Sequence, residues 1–218
     1  MKSFNRPKSL TELVTETLRD WIISGELDLG SHLSEARVAK QLEVSRTPVR
    51  EAINRLEMEG MVIVEPQRGT YVFNFEADEL AKLCDARVCL ETAALGFALR
   101  ENPKGLHAAL SACVDKMTKV REAGEVSAYL ALDTEFHQQF FTCSGNRFLD
   151  EAYQTISQKM AALRNRLGRH PDHMTKSYYE HISMTEAVER GDVAEALEIL
   201  RLHIDRKEGS YWEVAVEA

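Results

Sequence analysis

No run in this chain approaches the length of a membrane span, and its N-terminus, MKSFNRPKSL, lacks the apolar core of a secretory leader. The expectation is a soluble cytoplasmic protein. None of the four cysteines (Cys84, Cys89, Cys113 and Cys143) stands in a CxxC pair, and all fall in apolar helical sequence. That favours buried free thiols in a reducing cytosol over disulfides or a zinc knuckle. There is no HExxH helix, no G-x-S-x-G elbow and no evident paired general base, so the usual hydrolase signatures are missing. Basic excess is missing too: 27 Lys and Arg stand against 35 Asp and Glu, a net charge of −8, which argues against a general polyanion binder. Repeats and low-complexity segments are absent. What remains is 218 residues, 44% hydrophobic, enough for two small domains with a core each.

The densest pattern runs from Leu33 to Gly69, LSEARVAKQLEVSRTPVREAINRLEMEGMVIVEPQRG. Ser34 caps a predicted helix that buries Val38, Ala39 and Leu42, and Glu43-Val44 makes the turn. Ser45 or Thr47 caps the next helix, with Pro48 in the first turn, where a missing N–H costs nothing. Val49, Ile53 and Leu56 then recur at i, i+4 and i+7 as one apolar stripe, which leaves Arg46, Arg50 and Asn54 on an outward polar stripe. Gly60 ends the helix in the C′ role. Met61–Val64 and Thr70–Phe73 flank Pro66-Gln67-Arg68-Gly69, a hairpin with a basic tip.

A stripe of charges on a helix is usually just a solvated face. Two short helices, a tight turn and a basic hairpin tip together specify more, namely a winged helix-turn-helix that reads double-stranded DNA. Arginines at the start of a second helix are where such a fold meets phosphates and base edges. The first ~75 residues are close to neutral and the negative charge lies beyond them. Binding must then rest on a local arginine patch, and it should be salt-sensitive and dependent on orientation.

Beyond about Glu76 the strand signal ends and helical periodicity takes over. Breaks at Asn102–Gly105, Ala123-Gly124, Ser144–Asn146, Gly168–Asp172 and Gly191-Asp192 divide the region into six helices. Asp192 and Glu195 have capping-box spacing for the last one. Short connections favour an antiparallel bundle. The fold expected is therefore mainly α: a winged helix-turn-helix over 1–75, then a bundle of about six helices over 76–218.

Within the bundle, Asp133 and His137 are four apart in LALDTEFHQQF and share one helix face. His181 and His203 lie on the fifth and sixth helices, while His107, His170 and His173 read as loop or helix-end residues. One carboxylate and three imidazoles on facing helices suit a borderline divalent ion: zinc first, with nickel, manganese or iron as alternatives. Spacing alone leaves the other reading open, in which these four residues are unrelated.

At these residues the sequence resembles a known family. LSEARVAKQLEVSRTPVREAINRLEMEGMVIVEPQRGTYV is similar to the DNA-binding domain of GntR-type bacterial transcription regulators, SRTPVREA being the most specific segment, and VTETLRDWIISGELDLGSHLSE resembles its first helix and turn. ARVCLETAA, LDTEFHQQFFTCSGNRFL and YYEHISMTEAVERGDVAEALEILRLHI resemble the all-helical effector (FCD) domain of the FadR-type branch, and six helices are closer to its VanR-like subgroup. The resemblance implies Arg46 and Arg50 as DNA contacts with Gly69 at the wing tip, and Thr47, Asn54, Arg68 and Arg37 join that candidate set. Many members carry arginine where this chain has Ala36, so Arg37 is the residue available to take over that contact. The resemblance also implies metal ligation by Asp133, His137, His181 and His203.

Four protein ligands around a six-coordinate ion leave two positions for a carboxylate, which gains from a nearby arginine. Arg87 is the candidate effector contact, and a surface salt bridge with Glu91 is the competing role. The reading that follows is a homodimeric regulator, a repressor in the commoner family case, bound to a pseudo-palindromic operator and controlled by a small organic acid. Two alternatives stand beside it: a purely structural or metal-sensing ion, and a metal-dependent hydrolase.

Overall fold

Residues 7–167 and 171–204 are described in the computed structural model, and they divide into two compact units, Met1–Asn74 and Phe75–Ala218. The first unit begins with α1, Leu10–Ser24. Ser9 starts it with a full capping box: its hydroxyl accepts from the Glu12 N–H at 3.2 Å, and its own N–H donates to the Glu12 carboxylate at 2.7 Å. Val14, Leu18 and Ile22, four residues apart, are all buried.

Helix α2 is Glu35–Gln41, with Ser34 accepting from the Arg37 N–H. Val38 and Ala39 are buried as expected, but Leu42 is only half-buried, because it is the C-cap residue and no longer on the helix face. Glu43 then takes a left-handed conformation at φ 54°, the bend that sends the chain into α3, Arg46–Met58. Val49, Ala52, Ile53 and Leu56 form its inner face, packed on α1 and α2. Two links tie α3 to α1: Thr11 donates to Glu51 at 2.7 Å, and Arg19 forks onto Glu59.

The wing is a hairpin of β1, Val62–Glu65, and β2, Gly69–Val72, antiparallel with Val62 opposite Val72 and Glu65 opposite Gly69. The loop is thus Pro66-Gln67-Arg68, one residue shorter than expected, because Gly69 already pairs. His32 adds a bridge to Tyr71. Gly69 is required twice over. Its φ is +129°, and a Cβ there would stand 2.9 Å from the His32 ring.

The described residues of the second unit form helices without strands: α4 Ala77–Glu101, α5 Pro103–Glu122, α6 Val126–Ser144, α7 Arg147–Leu167, α8 Pro171–Arg190 and α9 Val193–Ile204. The described junctions have local chemistry that breaks the helix. Asn102 accepts from the Gly105 N–H with Pro103 at the first helical position, and Gly145 turns left-handed after α6. Asn146 caps α7, and Asp192 caps α9 by accepting from the Glu195 N–H at 3.0 Å. Helix α4 packs on α6, α7 and α9, α5 packs on α6 and α8, and α8 packs on α9. No described helix is long and apolar enough to cross a membrane. None of the four cysteines forms a disulfide, and Cys89 is exposed rather than buried.

Candidate functional site

The polar heart of the second unit is built from α6. Its buried stripe runs Tyr129, Leu130, Asp133, Phe136, His137, Phe140 and Phe141, so one carboxylate and one imidazole are carried inward among aromatic rings. His181 on α8 stacks on Phe136 with centroids 4.2 Å apart, and His203 on α9 stacks on His137 at 5.0 Å. Asp133, His137, His181 and His203 each offer a ligand atom, and these four atoms lie within 4.8 Å of one another. His107 lies within α5 and His173 in the first turn of α8; His170 falls outside the described residues.

The fit to a cation follows from counting protons. Nδ1 of His137 is 2.6 Å from Glu91, and Nδ1 of His203 is 2.8 Å from Glu180. An ionised carboxylate only accepts, so each ring spends an N–H there and, when neutral, turns a lone pair inward from Nε2. Those two Nε2 atoms face each other at 3.1 Å. Both nitrogens of His181 are buried without a hydrogen-bond partner among the described residues. With both rings neutral and their N–H groups spent on the carboxylates, lone pairs converge here, an arrangement that a positive ion resolves. Burial first, and then Arg164, lowers His137 to about 4; burial and the neighbouring His203 push His181 well below its ordinary value. A neutral imidazole is the ligating form.

The charges around the cluster are paired. Burial would raise Asp133 and Glu91, but Arg164 holds the first and Arg87 with His137 the second well below the carboxylate range. Arg164 Nε lies 2.9 Å from Asp133, whose other oxygen accepts from Ser177 at 3.2 Å. The Nη2 of Arg164 is buried with no hydrogen-bond partner. A cavity of about 10 Å3 adjoins the cluster, walled by Tyr129, Leu130, Asp133, Arg164, His173, Met174 and Ser177.

Arg87 is elsewhere. Its Nε donates to Glu91 at 2.7 Å, both side chains are buried, and Arg87 is not in the cavity wall. The salt bridge with Glu91, expected at the surface, is a buried pair that braces a histidine. Arg164 is the arginine that reaches the cavity. Sequence reasoning also passed over Glu180 and Ser177. Neither carries a spacing signal toward Asp133 or His203, since only the packing of α8 on its neighbours brings them close.

In the first unit, Arg46, Thr47, Arg50 and Asn54 are all exposed on α3, as are Arg37 on α2 and Arg68 at the wing tip, with Gly69 half-buried beside it. Ser45 makes no side-chain cap, so the first-turn amides of α3 carry no bond from it. Arg50 is held in a two-pronged contact by Glu35, at 3.1 and 3.2 Å.

Comparison with known proteins agrees with both halves. Residues 10–72 match the bacterial regulatory proteins of the gntR family, and residues 82–206 match the FCD domain. The Nta operon transcriptional regulator of Aminobacter aminovorans is 30% identical over 181 residues, 81% of this chain and 82% of that protein. The gluconate operon transcriptional repressor of Bacillus subtilis (strain 168) is 24% identical, covering 88% and 81%. Among solved structures, E. coli McbR/YncC superposes with a TM-score of 0.78 at 22% identity, covering 96% of this chain and 97% of that one, a likeness of fold.

Proposed function

Because the chain belongs to the GntR family of bacterial regulators with an FCD domain, and is a DNA-binding transcription regulator rather than an enzyme, we propose that it is a repressor released by a small carboxylate held at a divalent metal among Asp133, His137, His181 and His203. The observation that carries this reading is the convergence of one carboxylate and three imidazoles from α6, α8 and α9, whose ligand atoms lie within 4.8 Å of one another. A bound ion supplies a Lewis-acid anchor for carboxylate oxygens. Zinc leads, with nickel, manganese or iron as alternatives.

Charge supports an anionic effector. Arg87, Arg164 and Lys176 are set against Glu91, Asp133 and Glu180, a balance that a divalent ion turns to a positive excess. Arg164, with a buried Nη2, is the residue to grip the acid. In the DNA-binding unit, Arg46, Thr47, Arg50 and Asn54 would enter the major groove, with Arg37, Arg68 and Gly69 against the backbone. A cytoplasmic homodimer of the VanR-like subgroup on a pseudo-palindromic operator completes the reading.

The direct test is thermal melting with and without metal. Chelation is expected to lower the Tm, and an effector acid to raise the Tm of zinc-loaded protein only. An unchanged Tm after the metal is removed, together with no acid effect, would count against the metal. The small cavity favours a second reading, since about 10 Å3 admits little more than a water molecule. There the ion is structural or is itself the signal, and the Tm falls on chelation without responding to any acid.

A further inference from the structure

Two of the three clustered histidines have a carboxylate on the nitrogen that faces away from the centre, and the third does not. Glu91 on α4 touches His137 Nδ1 at 2.6 Å with its Oε2, while its Oε1 is fixed by Arg87 at 2.7 Å. Glu180 on α8 touches His203 Nδ1 at 2.8 Å. His181 follows Glu180 directly in sequence, yet neither of its nitrogens has a hydrogen-bond partner. The carboxylates come from helices other than those of the histidines they touch, so packing of α4 on α6 and of α8 on α9 sets both contacts.

We propose that Glu91 and Glu180 are positioning residues that fix the tautomers of His137 and His203, so that both present Nε2 lone pairs to one ion, while His181 is left to be oriented by stacking on Phe136. This rests on the metal reading above. A carboxylate on the distal N–H does three things: it selects the tautomer, it stops ring rotation, and it makes the ligating nitrogen more basic. Arg87 contributes one step further out, by holding Glu91 in place. The arrangement gives the ion two imidazoles fixed by carboxylates and one held by ring packing alone.

Glu180 is the cleaner probe, because its side chain is 25% exposed, whereas Glu91 is fully buried against Arg87. Zinc affinity of the full chain, measured by competition with a chromophoric chelator, should fall about tenfold in Glu180→Gln and about 100-fold in Glu180→Ala, with Glu180→Asp recovering part of the loss. His181→Ala should lose binding most. Long-range proton–nitrogen spectra of the metal-free protein add a readout that stability alone does not move. His203 should carry its proton on Nδ1 in wild type, and a mixture of tautomers in Glu180→Ala, with His137 unchanged. Wild-type zinc affinity and tautomer in both Glu180→Ala and Glu91→Gln, with binding lost in His181→Ala, would overturn the positioning role and leave the metal site standing. Failure of the wild type to bind zinc at all would overturn both.

Discussion

Replacing Arg50 by alanine is expected to weaken operator binding by about 10- to 100-fold, the loss of one good base or phosphate contact from a recognition helix. The near-neutral DNA-binding unit has no surplus of positive charge to make good that loss. Arg50 lies on the exposed side of α3, opposite Val49, Ile53 and Leu56, so alanine removes a contact without touching the core. In the free protein Glu35 holds the guanidinium, and exposed pairs of this kind are weak enough for DNA to displace. Two controls follow. Glu35→Gln should bind operator as well as wild type or better, and the Arg50→Ala melting curve should match wild type. Equal operator affinity for Arg50→Ala and wild type in a fluorescence anisotropy titration would mean that α3 presents some other residue to the groove.

The second large effect concerns stability. Glu91→Ala is expected to destabilise the helical unit by about 3–5 kcal/mol, the usual cost of removing one member of a buried ion pair. Arg87, 2% exposed, loses its carboxylate, and His137 loses the acceptor for Nδ1. A joint replacement of Arg87 and Glu91 by methionine should recover much of the loss, because no charge is then left unpaired. Denaturant unfolding of the three variants checks this; a Glu91→Ala stability within error of wild type would mean the pair is not buried in solution.

The same cluster sets the acid limit of the metal-free fold. His137 has a folded value of about 4 against an ordinary 6.5, so between those values the unfolded chain binds a proton that the folded one refuses. Stability therefore falls as pH drops through that window, and His181 acts in the same direction. Glu91 and Asp133, held low, contribute above the ordinary carboxylate range and lose that contribution only at still lower pH. The Tm should drop from neutral pH to about pH 5, before any carboxylate is neutralised.

Much of this was legible in the chain, and for local reasons. Val49, Ile53 and Leu56 announced the inner face of α3 by period alone, and Gly60, Asn102-Pro103, Gly145 and Asp192 each ended or began a helix with side-chain or backbone chemistry that needs no tertiary context. Asp133 and His137 share a turn, so their pairing could be read directly. His181 and His203 could not be joined to them by spacing, since four helices must pack before the rings meet; only the resemblance to FCD domains placed them together. Arg87 shows the limit from the other side. Its i, i+4 relation to Glu91 was visible, but the side of α4 that faces α6 and α9 was not, so a buried brace looked like a surface pair. Arg164, with Asn165, could be suspected of nearing the cavity but its helix could not be oriented, and Glu180 gave no signal, because the partners of Arg164 and Glu180 lie on other helices.

The central claim is that an acid bound beside the metal ligands changes the grip on DNA, and it is tested most directly by reciprocal titration. Operator affinity of the zinc-loaded protein would be measured with and without a panel of small carboxylic acids, in wild type and in His181→Ala. At least one acid is expected to shift the wild-type affinity by about 5- to 150-fold, and operator should weaken that acid's binding by the same factor. His181→Ala should bind operator with an affinity that no acid alters. An acid-induced shift that persists unchanged in His181→Ala would contradict the account.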